Sequence, residues 1–188
     1  MRQRLTELLE YMDAARERLL ATVAPANATI AGIQPRDGQW SVLQNLAHLA
    51  IVEQGVARVV ARSVEWAKTH GIGPEESDTS ILSTLDAYSM EAATRKMVAP
   101  AIVTPSGEAT LDELLASLAS SRTALRAAYE AGDGLDLCAV KRQHLSLGEL
   151  NLYQWGLFVA QHELRHRKQI ERTMKDVTER CVECAPIV

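Results

Sequence analysis

Along the last third of the chain, Leu152, Trp155, Val159, His162, His166 and Gln169 recur at intervals of 3, 4, 3, 4 and 3 residues. Such spacing belongs to a long helix that presents one seam to other helices, and it commits the chain to a bundle rather than to a sheet. Two of those seam positions carry imidazoles where the pattern calls for leucine. His162 and His166 stand four residues apart, just over one turn, so both rings leave the same helical face.

The rest of the chain supports an all-α reading. Leu5, Leu8, Leu9, Met12, Leu19 and Leu20 follow helical spacing and predict a first helix from about Arg2 to Val23, stopped by Pro25. Ser41 is a good N-cap for a second helix reaching about Lys68. This helix carries His48 among Leu43, Leu46, Leu49, Val52 and Val56, an apolar girdle that implies burial on several sides. Thr110-Leu111-Asp112-Glu113 matches a capping box and opens a third long helix that ends at Gly132. Ser146 is the expected cap of the fourth, which runs to about Val177. Between the second and third helices lies a crossover punctuated by Pro74, Pro100 and Pro105, with a short helix expected over about Ser80 to Lys96. No strand is expected. The 188 residues form one domain, 1–178, with a C-terminal tail, 179–188.

Composition narrows the function classes. Hydrophobic residues make up 47% of the chain and aromatics only 4%, a balance that favours helices. A net charge of −4 with no basic block gives no footprint for nucleic acid. Charges at Glu7, Glu10, Asp13 and Arg16 interrupt any apolar core after Met1-Arg2-Gln3-Arg4, so no secretion signal is read. No apolar run reaches the roughly 20 residues that a membrane span requires. A cytoplasmic protein is expected, and three cysteines, an odd count, fit a reducing compartment. Cys181 and Cys184 form one C-x-x-C without a second half, and read as part of a frayed tail.

Two accounts of His162 and His166 are open on spacing alone. They are partly buried histidines bonded to neighbouring polar groups, or they are metal ligands. Each unpaired buried polar group costs roughly 1–3 kcal/mol, which leucine would avoid, and His48 poses the same problem on another buried helix. A divalent ion bound by neutral imidazoles resolves all three together. His70 and His144 read instead as capping or surface residues. Glu53, five residues after His48, points off its face and suits a buried salt bridge or a contact that supports a metal ligand, rather than ligation itself. Glu163 is a candidate catalytic base, although a surface glutamate is the commoner outcome at such a position. Arg165, Arg167, Lys168 and Arg172 form a basic half of the last helix, read as a solvated face. Trp40, Trp66 and Trp155 read as packing residues, with Trp155 placed to line a pocket two turns before His162. Gln169 either meets a water at the metal or satisfies a buried backbone group.

Two family resemblances follow. His162-Glu163-x-x-His166 matches the H-E-x-x-H of zinc metallopeptidases, in which the histidines bind zinc and the glutamate activates water. That class sets its helix beside a sheet, and no strand pattern precedes this one. A wider match runs through Trp40-Ser41, His48-Leu49 and Glu53 on the second helix, then Thr104-Pro105-x-Gly107 before the third. It continues through Leu147-Gly148-Glu149-Leu150 and Trp155 to His162-x-x-x-His166-x-x-Gln169-Ile170. In that order and spacing the chain resembles the DinB-like (DinB/YfiT-like) superfamily of four-helix metal-binding proteins.

The resemblance implies an up-down-down-up four-helix bundle with a long crossover, and a homodimer. It also implies a metal site formed by His48, His162 and His166, holding a divalent transition metal: zinc or nickel first, with iron, manganese or cobalt as further candidates. The activities it implies are metal-dependent hydrolysis or transfer involving a low-molecular-weight thiol, on a small-molecule substrate. A non-catalytic, stress-related bundle that binds a metal or ligand is the alternative, with the peptidase third.

Overall fold

A computed structural model describes residues 1–88, 99–105 and 109–183, the side chains of 181–183 excepted. Four long helices form the body: α1 (Gln3–Val23), α3 (Val42–Thr69), α4 (Leu111–Glu130) and α5 (Leu152–Glu183), with a single-turn α2 (Ala28–Ala31) between the first two. Their starts follow the local chemistry. Ser41 accepts from the Gln44 amide at 3.2 Å while Gln44 Oε1 accepts from the Ser41 amide at 3.0 Å, a reciprocal capping box. Thr110 and Glu113 repeat the arrangement at α4, and the backbone amide and hydroxyl of Thr110, both donating to Glu113 Oε2, hold that carboxyl below its usual range.

The start of α5 departs from expectation. Ser146 does not cap it; residues Lys141–His144 (β1) and Gly148–Asn151 (β2) pair as an antiparallel hairpin, and α5 begins only at Leu152. The reason is local. Gly148 has a φ of 80°, which takes the chain out of helical geometry, and Ser146 and Leu147 donate their amides to His144 Nδ1. Asn151 and Gln154 then cap α5 reciprocally at 2.9 and 3.0 Å. The hairpin is short and of mixed polarity, so it lacks the period-2 alternation by which a strand is read. At its other end α5 continues past Val177 to Glu183. The first half of the expected crossover helix is a 3₁₀ helix, Leu82–Tyr88, and its second half lies outside the described residues, as does Gly107. The side chains of the Cys181–Cys184 pair also fall outside them.

Contacts between the helices give their directions. Leu8 packs against Gly156 and Arg16 meets Glu163, so α1 and α5 run the same way. Glu53 meets Ser121 and Val64 meets Gly132, making α3 and α4 parallel. His48 faces His162 while Asn45 faces His166, which sets α3 antiparallel to α5. The order is up-down-down-up, as the resemblance implied.

Two apolar clusters fill the bundle. One contains Leu8, Met12, Val56, Leu125, Tyr129 and Leu157; the other contains Leu19, Leu46, Leu49, Leu118 and Ile170. At the level where they meet, each of the four long helices contributes one charged side chain. Arg16 of α1 bonds Glu53 of α3 at 2.7 Å and Glu163 of α5 at 2.7 Å through Nε. Arg122 of α4 bonds the same two carboxylates at 2.6 and 3.0 Å. The remaining donors and acceptors are also engaged: Arg16 donates to the Leu118 carbonyl, Arg122 to that of Met12, and Ser121 donates to Glu53. Two cations and two anions thus cancel in an interior where an unpaired charge costs several kcal/mol.

This layer yields a stability test. Arg122→Met leaves two buried carboxylates sharing one guanidinium, and urea denaturation is expected to show a loss of about 3–5 kcal/mol. Replacing Arg16, Glu53, Arg122 and Glu163 together by apolar residues is expected to cost far less, because no charge is then left unpaired.

Candidate metal centre

Three of the five histidines meet between α3 and α5. His48 lies one and a half turns into α3, and His162 and His166 lie on the facing side of α5. Among the described residues these three form the one group of histidine, cysteine and acidic side chains with metal-binding geometry, their ring nitrogens all within 4.8 Å of one another. The Nε2 of His162 is 3.2 Å from that of His48 and 3.1 Å from that of His166. Bonds of about 2.05 Å to one ion separate ligand nitrogens by roughly 3.3 Å in a tetrahedral and roughly 2.9 Å in an octahedral arrangement. These two separations lie between the tetrahedral and octahedral values, and the third pair lies within 4.8 Å, so the cluster is compatible with a divalent ion without selecting the metal.

The far side of each ring explains why these nitrogens converge. His48 Nδ1–H donates to the Val103 carbonyl at 2.7 Å, at the end of the 3₁₀ turn Ala101–Val103. His166 Nδ1–H donates to Asn45 Oδ1 at 2.7 Å, and Asn45 donates its own amide to the Ser41 carbonyl at 2.9 Å. That second bond fixes which way the Asn45 amide points, and therefore the His166 tautomer. With both Nδ1 atoms protonated, His48 and His166 turn Nε2 lone pairs toward His162, a collection of acceptors that a cation satisfies.

Aromatic rings close the site. Trp40 lies 4.9 Å from His48 and 6.1 Å from His166, centroid to centroid, and Phe158 stacks on His162 at 5.2 Å. Burial accordingly depresses the imidazoles. His48 is lowered chiefly by desolvation, against the opposing bond to Val103. His162 falls well below its ordinary value through desolvation and its histidine neighbours, and His166 is pushed down to about 3, again mainly by desolvation. All three are neutral at pH 7, the form in which imidazole binds metal.

The remaining candidates are distributed as follows. Glu163 is not a surface residue: it is 2% exposed and belongs to the ion-pair layer, its two oxygens held by Arg16 and Arg122. Burial pushes its carboxyl up and the two guanidiniums pull it back. Glu53 forms the buried salt bridge expected of it. Arg165, read as part of a solvated face, is 8% exposed, whereas Arg172 is exposed. Gln169 stands beside His166 and its side chain opposes, in small part, the lowering of that imidazole. His70 caps the C-terminus of α3. His144 sits on the hairpin beside Trp155 and Phe158, not alone on the surface. Sequence reasoning passed over Asn45, Val103, Arg16 and Arg122. Asn45 carried a signal, since it precedes His48 by one turn on the same face. A backbone carbonyl such as that of Val103 carries none.

Comparison with known proteins supports the fold. A sequence family described as the DinB superfamily matches residues 11–170. The crystal structure of TT2238, a four-helix bundle protein, is similar with a TM-score of 0.59 at 25% identity, covering 89% of this chain and 98% of that one. Among curated proteins none matches.

The depressed imidazoles set a pH dependence for the metal-free protein. An unfolded histidine takes up its proton near pH 6.5 and folded His166 only near 3, so protons favour the unfolded state between those values. Stability is fully present above pH 6.5 and is lost as the pH falls toward 3. Chemical denaturation across that window is expected to show the decline, and His166→Gln is expected to flatten it.

Proposed function

Because the chain belongs to the DinB superfamily, we propose that His48, His162 and His166 hold one divalent transition-metal ion and that the site acts on a small molecule. The reaction is hydrolysis or transfer involving a low-molecular-weight thiol. The observation that carries this reading is the convergence of three Nε2 atoms while the Nδ1 atoms of His48 and His166 are committed to Val103 and Asn45. Two directed lone pairs on a rigid frame are the mark of a built site rather than of histidines buried by chance. Bound there, the ion supplies Lewis acidity, which both water attack and thiol ionisation require.

The protein's own residues supply the rest. Three protein ligands leave room for a substrate atom, unlike the four that close a structural zinc site. Trp40 and Phe158 exclude bulk water from the ligand faces, and the Asn45–His166 bond keeps that ring from rotating. Glu163 serves the frame: both its oxygens are taken by guanidiniums, which leaves it unsuited to accept a proton from water in the manner of the zinc peptidases. No helix among the described residues is long and apolar enough to cross a membrane.

Metal analysis of the purified protein tests the premise. Wild type is expected to bind about one equivalent, and His48→Ala, His162→Ala and His166→Ala to lose it; full retention in all three would remove the assignment. Asn45→Ala leaves every ligand in place and is expected to weaken binding by roughly 10- to 100-fold. Turnover assays of the metal-loaded protein, with several small thiols and with ester and amide panels, separate enzyme from binder. Glu163→Gln distinguishes the peptidase, whose proteolysis it would abolish with the metal kept; here its expected effect is on stability.

A further inference from the structure

Aromatic side chains are scarce in this protein, with one phenylalanine and three tryptophans among 188 residues. The single phenylalanine and one of the tryptophans nevertheless lie against the three imidazoles. Trp40 meets His166 nearly parallel, at 16° and 6.1 Å between centroids, and meets His48 tilted by 50° at 4.9 Å. Phe158, one turn before His162 on α5, stacks on that ring at 18° and 5.2 Å. Each ring of the cluster therefore has an aromatic neighbour, and the two neighbours come from distant stretches of chain.

The position of Trp40 is fixed from both helices that carry the histidines. It directly precedes the N-cap Ser41, so the capping box of α3 holds the backbone on one side of it. Its carbonyl accepts the Thr173 hydroxyl at 3.4 Å, and Thr173, 7% exposed, stands about two turns beyond His166 on the same face of α5. Volume alone does not call for an indole here. The neighbouring apolar cluster, with Leu19, Leu46, Leu49, Leu118 and Ile170, is filled without an aromatic ring among its described residues.

What an aromatic ring offers beyond bulk is electrostatic. A neutral imidazole gains little from the negative face of an indole or phenyl ring, but an imidazole bound to a dication carries part of its charge and is attracted to that face. The attraction exists only with the ion in place, so it adds to metal affinity and not to the stability of the metal-free fold. We propose that Trp40 and Phe158 are positioning residues of the metal centre, whose π faces stabilise the charge spread onto His48, His166 and His162 when a divalent ion binds. The inference rests on the metal reading of those three histidines. It gives the two rings a role distinct from excluding water, which needs only bulk.

Cobalt binding by the full chain tests this, read from the ion's visible absorption in competition with a chelator. Replacing tryptophan biosynthetically by its 5-fluoro and 5,7-difluoro analogues withdraws electrons from the π face while hardly changing the size of the ring. Cobalt affinity is expected to fall stepwise, to about threefold weaker with the difluoro analogue. The same labelling of Trp40→Phe is expected to leave its cobalt affinity unchanged, which assigns the effect to position 40. Because Phe158 is the one phenylalanine, 4-fluorophenylalanine labels it alone and is expected to weaken cobalt binding about twofold. Urea denaturation of the metal-free labelled proteins is expected to match that of the unlabelled protein. Equal cobalt affinity across both fluorinated series overturns the proposal and leaves the metal reading standing. A fall that persists in labelled Trp40→Phe removes Trp40 from it, and a matching loss of metal-free stability makes the rings packing residues and overturns it. Failure of the unlabelled protein to bind cobalt overturns the metal reading and this proposal together.

Discussion

The array formed by Arg16, Glu53, Arg122 and Glu163 is the constraint on which the rest of the bundle depends. Apolar side chains pack acceptably in several registers, because Leu against Leu looks much the same one turn along. Guanidinium forks against carboxylates do not, since a slip of one turn leaves four buried charges without partners. One member from each long helix means that all four helices are fixed axially at a single level. We read the layer as a device for register, with the apolar clusters above and below supplying most of the stabilisation.

Register is what the histidine site requires. Glu163 directly precedes Leu164 and follows His162, and Glu53 lies little more than a turn after His48, so the two carboxylates that lock α3 to α5 also set the height at which the imidazoles meet. A displacement of 1 Å between these helices would spoil the convergence of three Nε2 atoms on one point. Lone-pair direction is then set one layer out by Asn45 and Val103. Glu163, the middle residue of H-E-x-x-H, has both oxygens engaged by Arg16 and Arg122 and so belongs to the frame of the bundle.

Much of this was legible in the residues. Seam spacing on α5 located His162 and His166 on an interior face, and capping boxes at Ser41 and Thr110 fixed two helix starts. The ion-pair layer was also written in the pattern, because Arg16 falls between Met12 and Leu19, Glu53 between Leu49 and Val56, and Arg122 between Leu118 and Leu125, each on an apolar stripe. What one helix cannot reveal is which charge answers which, since the partners lie 37 to 147 residues apart. The hairpin before α5 was illegible for another reason: its strands are four residues each and hold together through a glycine at positive φ and a histidine that gathers two amides, not through alternation.

The sequence by itself determined a helical bundle, its helix starts at α3 and α4, and three histidines on buried faces, because these follow from helical periodicity and from local hydrogen bonding within a turn. Only the tertiary structure decided that His48 meets His162 and His166 at one point, that Glu163 is neutralised by Arg16 and Arg122, and that His144 is carried back beside Trp155. Those outcomes depend on the relative height and rotation of helices distant in the chain, which packing and charge pairing set together and no local pattern encodes.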